Sequence, residues 1–192
     1  MSERINTHRQ THRLILRLPD FGDAETMATL LNNWDIARQT LTFPYPYTIK
    51  HATGWITRMH ETNRNGRYFF TMFRKSDNAL VGGGELIVDM PQLQGEIAYW
   101  IGQPYWGQGY ATEFTKRMIQ FGFEELRLNR IEAQYFAENL ASARVMQKSG
   151  MTYEGTRRQA IIRTNETMNY HAVHDLGIYS ILRDEWLTIS SR

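Results

Sequence analysis

Trp100-Ile101-Gly102-Gln103-Pro104-Tyr105-Trp106-Gly107-Gln108-Gly109-Tyr110-Ala111-Thr112 changes character twice within a short span. The apolar run from Glu96 to Ile101 ends at Gly102. A turn holding Pro104, Gly107 and Gly109 follows, and from Ala111 apolar residues recur at helical spacing. This reads as a strand, a glycine turn and a helix N-terminus in succession. Glycine lacks a Cβ, so the backbone can bend sharply there and approach a ligand closely. The first turn of the helix leaves N–H groups with no intrahelical partner and carries a partial positive charge. Together these features suit an anion, most often a phosphate. A helix entry with glycines at a corner leaves the same trace, so the motif alone does not decide.

Working outward, the preceding sequence supplies strands and two helices. Residues up to about His12 are polar and expected to be flexible. Arg13 to Leu18 alternates as a strand, and Pro19-Asp20 breaks it. Asp23 can cap a helix carrying Met27, Leu30 and Leu31, and Thr48 a second with Ala52, Trp55, Ile56 and Met59 on one face. Between them Thr40 to Tyr47 is a loop rich in proline and aromatics. Asn65-Gly66 signals a turn. Tyr68 to Phe73 and Ala79 to Gly82 read as a hairpin, and Glu85 to Val88 resumes the second strand. Gly82-Gly83-Gly84 inside that strand implies a bulge or a close backbone approach.

Gln94 to Ile101 is the strand before the glycine turn, and the helix after it runs from Ala111 to about Leu126. Ala111, Phe114, Met118, Phe121 and Gly122 share a face of that helix. Arg130 to Phe136 is a further strand, and Leu140 to Lys148 a short helix closed by Ser149-Gly150. Thr152 to Arg158 is extended, Asn165-Glu166 lies in a polar connection, and His174 to Leu182 is a last strand before a terminal turn around Trp186. The pattern is α+β, with a mostly antiparallel sheet and helices on both faces. No linker or repeat divides residues 1–192, so a single domain is expected.

Composition narrows the function. The 192 residues suffice for a full core, and a net charge of +2 gives no reason to expect a nucleic-acid or membrane surface. With no cysteine, a disulfide framework, a thiolate metal site and a cysteine nucleophile are excluded together. Met1-Ser2-Glu3-Arg4 leads into polar sequence without a secretory apolar core, and no run reaches membrane-spanning length. A soluble, cytoplasmic protein is the expectation.

A second segment, Asn139-Leu140-Ala141-Ser142-Ala143-Arg144-Val145-Met146-Gln147-Lys148-Ser149-Gly150-Met151, is followed by Glu154-Gly155 and Arg158. With the glycine turn in order and register before it, this resembles the GNAT superfamily of acyl-coenzyme A-dependent N-acyltransferases. The chain is most similar to the ribosomal-protein N-acetyltransferase (RimJ/RimL-like) branch. Asp175 to Trp186 and the loop Phe43 to Thr48 share that likeness, which spans Arg13 to Trp186. The resemblance implies a GNAT-type fold, its twisted sheet splayed in the middle, with acetyl-CoA as acyl donor and a primary amine as acceptor.

It also implies where coenzyme A binds. The pyrophosphate would rest on the turn from Trp106 through Gly107, Gln108, Gly109 and Tyr110 to Ala111 and Thr112. The pantetheine arm would insert like a false strand beside Tyr99, Trp100 and Ile101, whose backbone N–H groups would supply an oxyanion donor. Pro104 stands where the family carries Arg or Gln, so one side-chain contact is missing, but the backbone donors need no side chain. Asn139 would bond the coenzyme arm, and Ser142 would face the sulfur. Asparagine equally suits a helix cap, and both roles can hold, one through each end of the amide. Many relatives have a tyrosine acid seven residues after the asparagine; Met146 occupies that place here, so Ser142 or a water would have to serve, and Ser142 is the candidate.

The base is open between Glu96, on the strand that presents the thioester, and Asp175 beside His174. Each also has a structural reading, a solvated strand carboxylate for Glu96 and a turn for Asp175. His171 and His174 without matching carboxylate spacing do not make a metal site, and none is expected. Phe43-Pro44-Tyr45-Pro46-Tyr47, with Trp106, Tyr135 and Tyr170, would wall an acceptor groove or simply pack beneath a loop.

By resemblance the acceptor is a protein N-terminal amine, of ribosomal or other protein. A small-molecule amine is the alternative. From other classes come a non-catalytic acyl-CoA-binding regulatory module and a dinucleotide-binding protein. The last lacks its third glycine and its ribose-reading acid. Aromatic surface residues suit a pocket or an interface equally, so a homodimer is compatible with the sequence.

Overall fold

The computed structural model describes residues 8–62 and 66–190. Its elements in chain order are β1 (Arg9–Gln10), β2 (Leu14–Arg17), α1 (Ala24–Leu31), α2 (Trp34–Ala37), α3 (Ile49–Thr62), β3 (Arg67–Arg74), β4 (Leu80–Asp89), β5 (Gln94–Ile101), α4 (Tyr110–Glu124), β6 (Arg130–Phe136), α5 (Leu140–Lys148), β7 (Thr152–Asn165), β8 (Tyr170–Leu182) and α6 (Arg183–Ser190). The eight strands follow the order β1-β2-β3-β4-β5-β6-β8-β7. β5 and β6 are parallel, and the neighbouring pairs β1–β2, β2–β3, β3–β4, β6–β8 and β7–β8 are antiparallel. Residues fall into two compact units, 1–87 with 99–110, and 88–98 with 111–192. Among the described residues no helix is long and apolar enough to cross a membrane.

In the first unit, alternation buries Leu14 and Leu16 of β2 and leaves Arg17 on the other face, over the Phe73 ring at 3.7 Å. Met27, Ala28 and Leu31 of α1 and Ala52 and Ile56 of α3 share a core with Phe73, Leu80 and Trp100. The Gly82–Gly83 stretch of β4 shows both features the sequence implies. Met72 pairs Gly82 while Phe73 pairs Leu80, so β4 carries a bulge at Val81. A Cβ on Gly82 would lie 2.4 Å from the Trp100 carbonyl oxygen, and one on Gly83 2.9 Å from its indole nitrogen.

In the second unit, Phe114, Met118 and Phe121 of α4 are buried, and Gly122 lets the helix approach the Ile131 side chain of β6. Arg130 binds Glu154 at 2.6 Å and Glu132 at 3.0 Å, and the Ser180 hydroxyl donates to Glu154 at 2.6 Å. Pairing of β5 with β6 runs from Gln94↔Arg130 to Glu96↔Glu132 and ends there, as a splayed sheet requires.

Several elements depart from the sequence expectation. Arg9–Gln10, expected to be flexible, forms β1 because β2 offers a ladder and Phe70 a face for Arg9 (5.9 Å). Asp20 rather than Asp23 makes the side-chain cap, accepting from Gly22 in a short 3-10 turn ahead of α1. β7 and β8 extend well past the expected Arg158 and back to Tyr170. β7 is a polar outer strand whose ladder with β8 substitutes for apolar alternation. The chain end is a helix, α6, whose Glu185 accepts the Leu182 N–H at 2.9 Å. The tail before residue 8 and Asn65 of the expected Asn65-Gly66 turn lie outside the described residues.

Two predictions follow the packing. Gly82→Ala sets a Cβ against a carbonyl that cannot yield, and should cost about 1–3 kcal/mol of stability; an unchanged denaturant midpoint would refute the close approach. Arg130 first, then Ser180, hold the Glu154 carboxyl down at about 2 from the ordinary 4.5. A depressed carboxylate stabilises the fold above its ordinary value and loses that contribution as pH falls through the folded one. Glu154→Gln should therefore show a shallower decline in melting temperature between pH 4.5 and about 2 than the unsubstituted chain.

Candidate functional site

At Gly102 the chain leaves its sheet, with the Gly102 N–H on the Val81 carbonyl at 2.9 Å. A 3-10 turn over Gln103–Tyr105 follows, and the Trp106 N–H returns to the Gln103 carbonyl at 3.1 Å. Trp106 therefore spends its amide on the turn. The donors that no described residue takes up begin at Gly107 and continue through Gln108, Gly109, Tyr110, Ala111 and Thr112, the last three being first-turn amides of α4. Gly107 and Gly109 have φ of 74° and 83°, the left-handed region where other residues are strained. The turn is exposed from Trp106 to Gly109, and Tyr110 is buried.

Side chains fix this turn from behind. The Trp106 indole donates to the Ile101 carbonyl at 2.7 Å, and the Gln108 amide to the Pro104 carbonyl at 3.1 Å. Arg13 donates to the Gln108 carbonyl at 2.9 Å and lies 4.7 Å from the Tyr110 ring centre. In a trans peptide the C=O and the next N–H point opposite ways. Turning the Gln108 carbonyl to Arg13 thus aims the Gly109 N–H away from Arg13. Arg74 bonds Asp77, and that carboxylate first, with the Tyr110 side chain after it, holds its guanidinium above the ordinary value. Sequence reasoning missed both arginines, since neither is near the turn along the chain.

On β5, Trp100 is 5% exposed and its indole belongs to the core beside Phe43 (6.2 Å). Its carbonyl faces Gly82 of β4. Backbone groups alternate along a strand, so those of Tyr99 and Ile101 point to the opposite edge. Of the three expected contacts, Trp100 is turned into the core, and the Ile101 carbonyl accepts the Trp106 indole. Glu96 is half-buried and stands in register with Glu132, which is engaged by Arg130.

At the head of α5, the Asn139 amide oxygen accepts the Ser142 N–H at 3.1 Å, so the capping role is real and uses one end of the amide. Ser142 is half-buried one turn before Met146, which is 1% exposed. Gly150 (φ 86°) ends the helix, with its N–H on Gln147 and that of Met151 on Met146, both at 3.1 Å. Asp175 accepts the Gln159 N–H at 2.6 Å, the structural reading of that carboxylate. His171 is exposed, whereas His174 is buried between Tyr170 and Glu138. Phe43 and Tyr47 are buried in the first unit's core, and burial pushes the Tyr47 hydroxyl up to about 12; for them packing is the role.

Comparison with known proteins agrees with this geometry. Residues 13–152 match the acetyltransferase (GNAT) domain family. The uncharacterized N-acetyltransferase p20 of Bacillus licheniformis is 25% identical over 178 residues, 92% of this chain and 96% of that protein. Ribosomal-protein-S5-alanine acetyltransferase from Vibrio fischeri superposes with a TM-score of 0.78 at 21% identity, over 94% of this chain and 99% of its own. Spermidine N-acetyltransferase from Vibrio cholerae, solved with CoA and spermine, gives 0.75 at 21%, over 91% and 98%. With a strand, a left-handed glycine turn and a helix N-terminus already in place, the family match over residues 13–152 settles the class: the chain belongs to the GNAT acetyltransferases and is an acyltransferase.

Proposed function

We propose that the chain is a single-domain, cytoplasmic N-acetyltransferase that moves the acetyl group of acetyl-CoA directly to a primary amine, with no covalent acyl-enzyme. The observation that carries this reading is the run of outward amides from Gly107 to Thr112, held open by two left-handed glycines and aimed by Arg13. Such a run suits a pyrophosphate. Arg13, a guanidinium bonded to the turn's own Gln108 carbonyl, adds positive charge beside it where the usual Arg or Gln is replaced by Pro104.

The remaining roles divide by chemistry. Backbone at Tyr99 and Ile101 would take the pantetheine arm and the developing oxyanion. The Asn139 amide, its oxygen engaged with Ser142, has its NH2 end to offer the arm. Ser142 would protonate the leaving thiolate, since Met146 has no proton to give. Glu96 would meet the incoming ammonium. The first-choice acceptor is a protein N-terminal amine of the ribosomal-protein type, supported by the likeness to the Vibrio fischeri enzyme. A small polyamine is the second, supported by the likeness to the spermidine enzyme.

Titration calorimetry with coenzyme A tests the reading: binding is expected, and no heat would end it. Arg13→Met should weaken that binding about tenfold, the worth of one charge-assisted hydrogen bond, with the melting temperature showing that the chain still folds. Ser142→Ala should lower thiol release with an amine panel by roughly 10²-fold and leave the calorimetric affinity intact; undiminished turnover would remove Ser142 from the mechanism.

A further inference from the structure

Arg13 and Arg74 stand at the same end of the β2–β3 pair. Leu14 is opposite Arg74, and the Lys75 N–H bonds the Arg13 carbonyl at 2.9 Å. Both side chains finish on the segment that carries the glycine turn. The Arg13 guanidinium takes the Gln108 carbonyl and the Tyr110 ring, at the exit of the turn. That of Arg74 lies 5.4 Å from the Tyr105 ring centre, at its entry.

Arg74 is itself held from behind. Its Nε and Nη2 donate to the two carboxylate oxygens of Asp77 at 2.9 and 2.5 Å. That carboxylate also accepts the Ala79 N–H at 3.2 Å, within the short connection from β3 to β4, where Asn78 takes a φ of 55°. Arg74 first, and the Ala79 N–H after it, keep the Asp77 carboxyl below its ordinary value. A fork on two oxygens fixes the plane of the guanidinium as well as its position, and a fixed plane is what an aromatic face needs. The same pairing matches the Arg74 charge with a carboxylate. What this side chain offers the turn is therefore a surface rather than a free charge.

The turn needs such a support. Gly107 and Gly109 stand between Tyr105 and Tyr110, and glycine loses more freedom than any other residue on being ordered. Their amides bind an anion well only where that loss is met before the anion arrives. Tyr105 is half-buried, and its N–H bonds the Gly102 carbonyl at 2.9 Å, which ties its ring to the backbone turn that feeds Gly107.

We infer that Arg74 is a positioning residue of the coenzyme site: locked by Asp77, it backs Tyr105 at the entry of the glycine turn while Arg13 holds the exit, so the amides from Gly107 to Thr112 are aligned before a pyrophosphate meets them. For its ligand this rests on the acetyltransferase reading. Arg74 acts through Tyr105 and takes no part in acyl transfer, so its loss falls on KM and not on kcat.

The test uses the full chain. Arg74→Lys keeps a positive charge but neither the fork nor the plane. It should weaken coenzyme A binding in calorimetry about fivefold and raise the KM for acetyl-CoA to match, with kcat unchanged. Tyr105→Leu leaves the Arg74–Asp77 pair in place and should give the same loss. Combining the two should cost nothing more, since both remove one contact. In the coenzyme-free protein, the N–H order parameters of Gly107 and Gly109 by NMR should stand near about 0.85 and fall toward about 0.6 in each variant. Full affinity in Arg74→Lys overturns the inference, because charge alone would then suffice. Losses that add in the double variant, or a loss confined to kcat, overturn it as well. If the unsubstituted protein binds no coenzyme A, the acetyltransferase reading fails, and the two glycine order parameters decide the brace by themselves: lowered in the variants it stands, unchanged it falls.

Discussion

Trp100 can lie in its place only because Gly82 and Gly83 carry no side chains. Its indole and carbonyl occupy space that two Cβ atoms would need. That contact fixes β5 sideways against β4 and fixes its alternation. The buried indole holds the strand from the core, and the backbone groups of Tyr99 and Ile101 are turned to the opposite edge. It also sets the point at which the chain leaves the sheet, so the glycine turn begins from a rigid support rather than from a loop.

The turn illustrates how little side-chain chemistry a run of outward donors needs. Its donors are main-chain amides, and what the fold supplies is their direction. Two left-handed glycines, the Trp106 indole on Ile101 and the Arg13 guanidinium on the Gln108 carbonyl each remove a rotational freedom from the turn. Amides aligned in advance bind charge without reorganising on contact. Pro104, which looks like a loss when set beside the family pattern, is compatible with this arrangement because its carbonyl accepts the Gln108 side chain.

One turn of chain after β6 does several things at once. Phe136 stacks on a buried histidine, Glu138 meets that histidine's Nδ1, and Asn139 starts α5 and orients Ser142 through its amide. Coupling these groups through consecutive residues keeps their relative positions within the tolerance of a single backbone turn. The bulge in β7 lies beside the same turn, and Gln159 within it takes a left-handed φ of 50°.

The sequence by itself determined what depends on near neighbours. The bounds of β5, β6 and α5, the glycine turn, the cap at Asn139, the closure at Gly150 and the close approach at Gly82–Gly83 all follow from local periodicity, missing Cβ atoms or caps a few residues away. Tertiary structure decided the rest. β1 and most of β7 are polar stretches that become strands only because a partner ladder takes their hydrogen bonds. Arg13 reaches Gln108, and His174 reaches Glu138, from distant parts of the chain, and no spacing rule connects such residues. Trp100 and Trp106, equal in sequence as aromatic flanks of one turn, part company for the same reason: the fold alone determines which faces a core and which faces water.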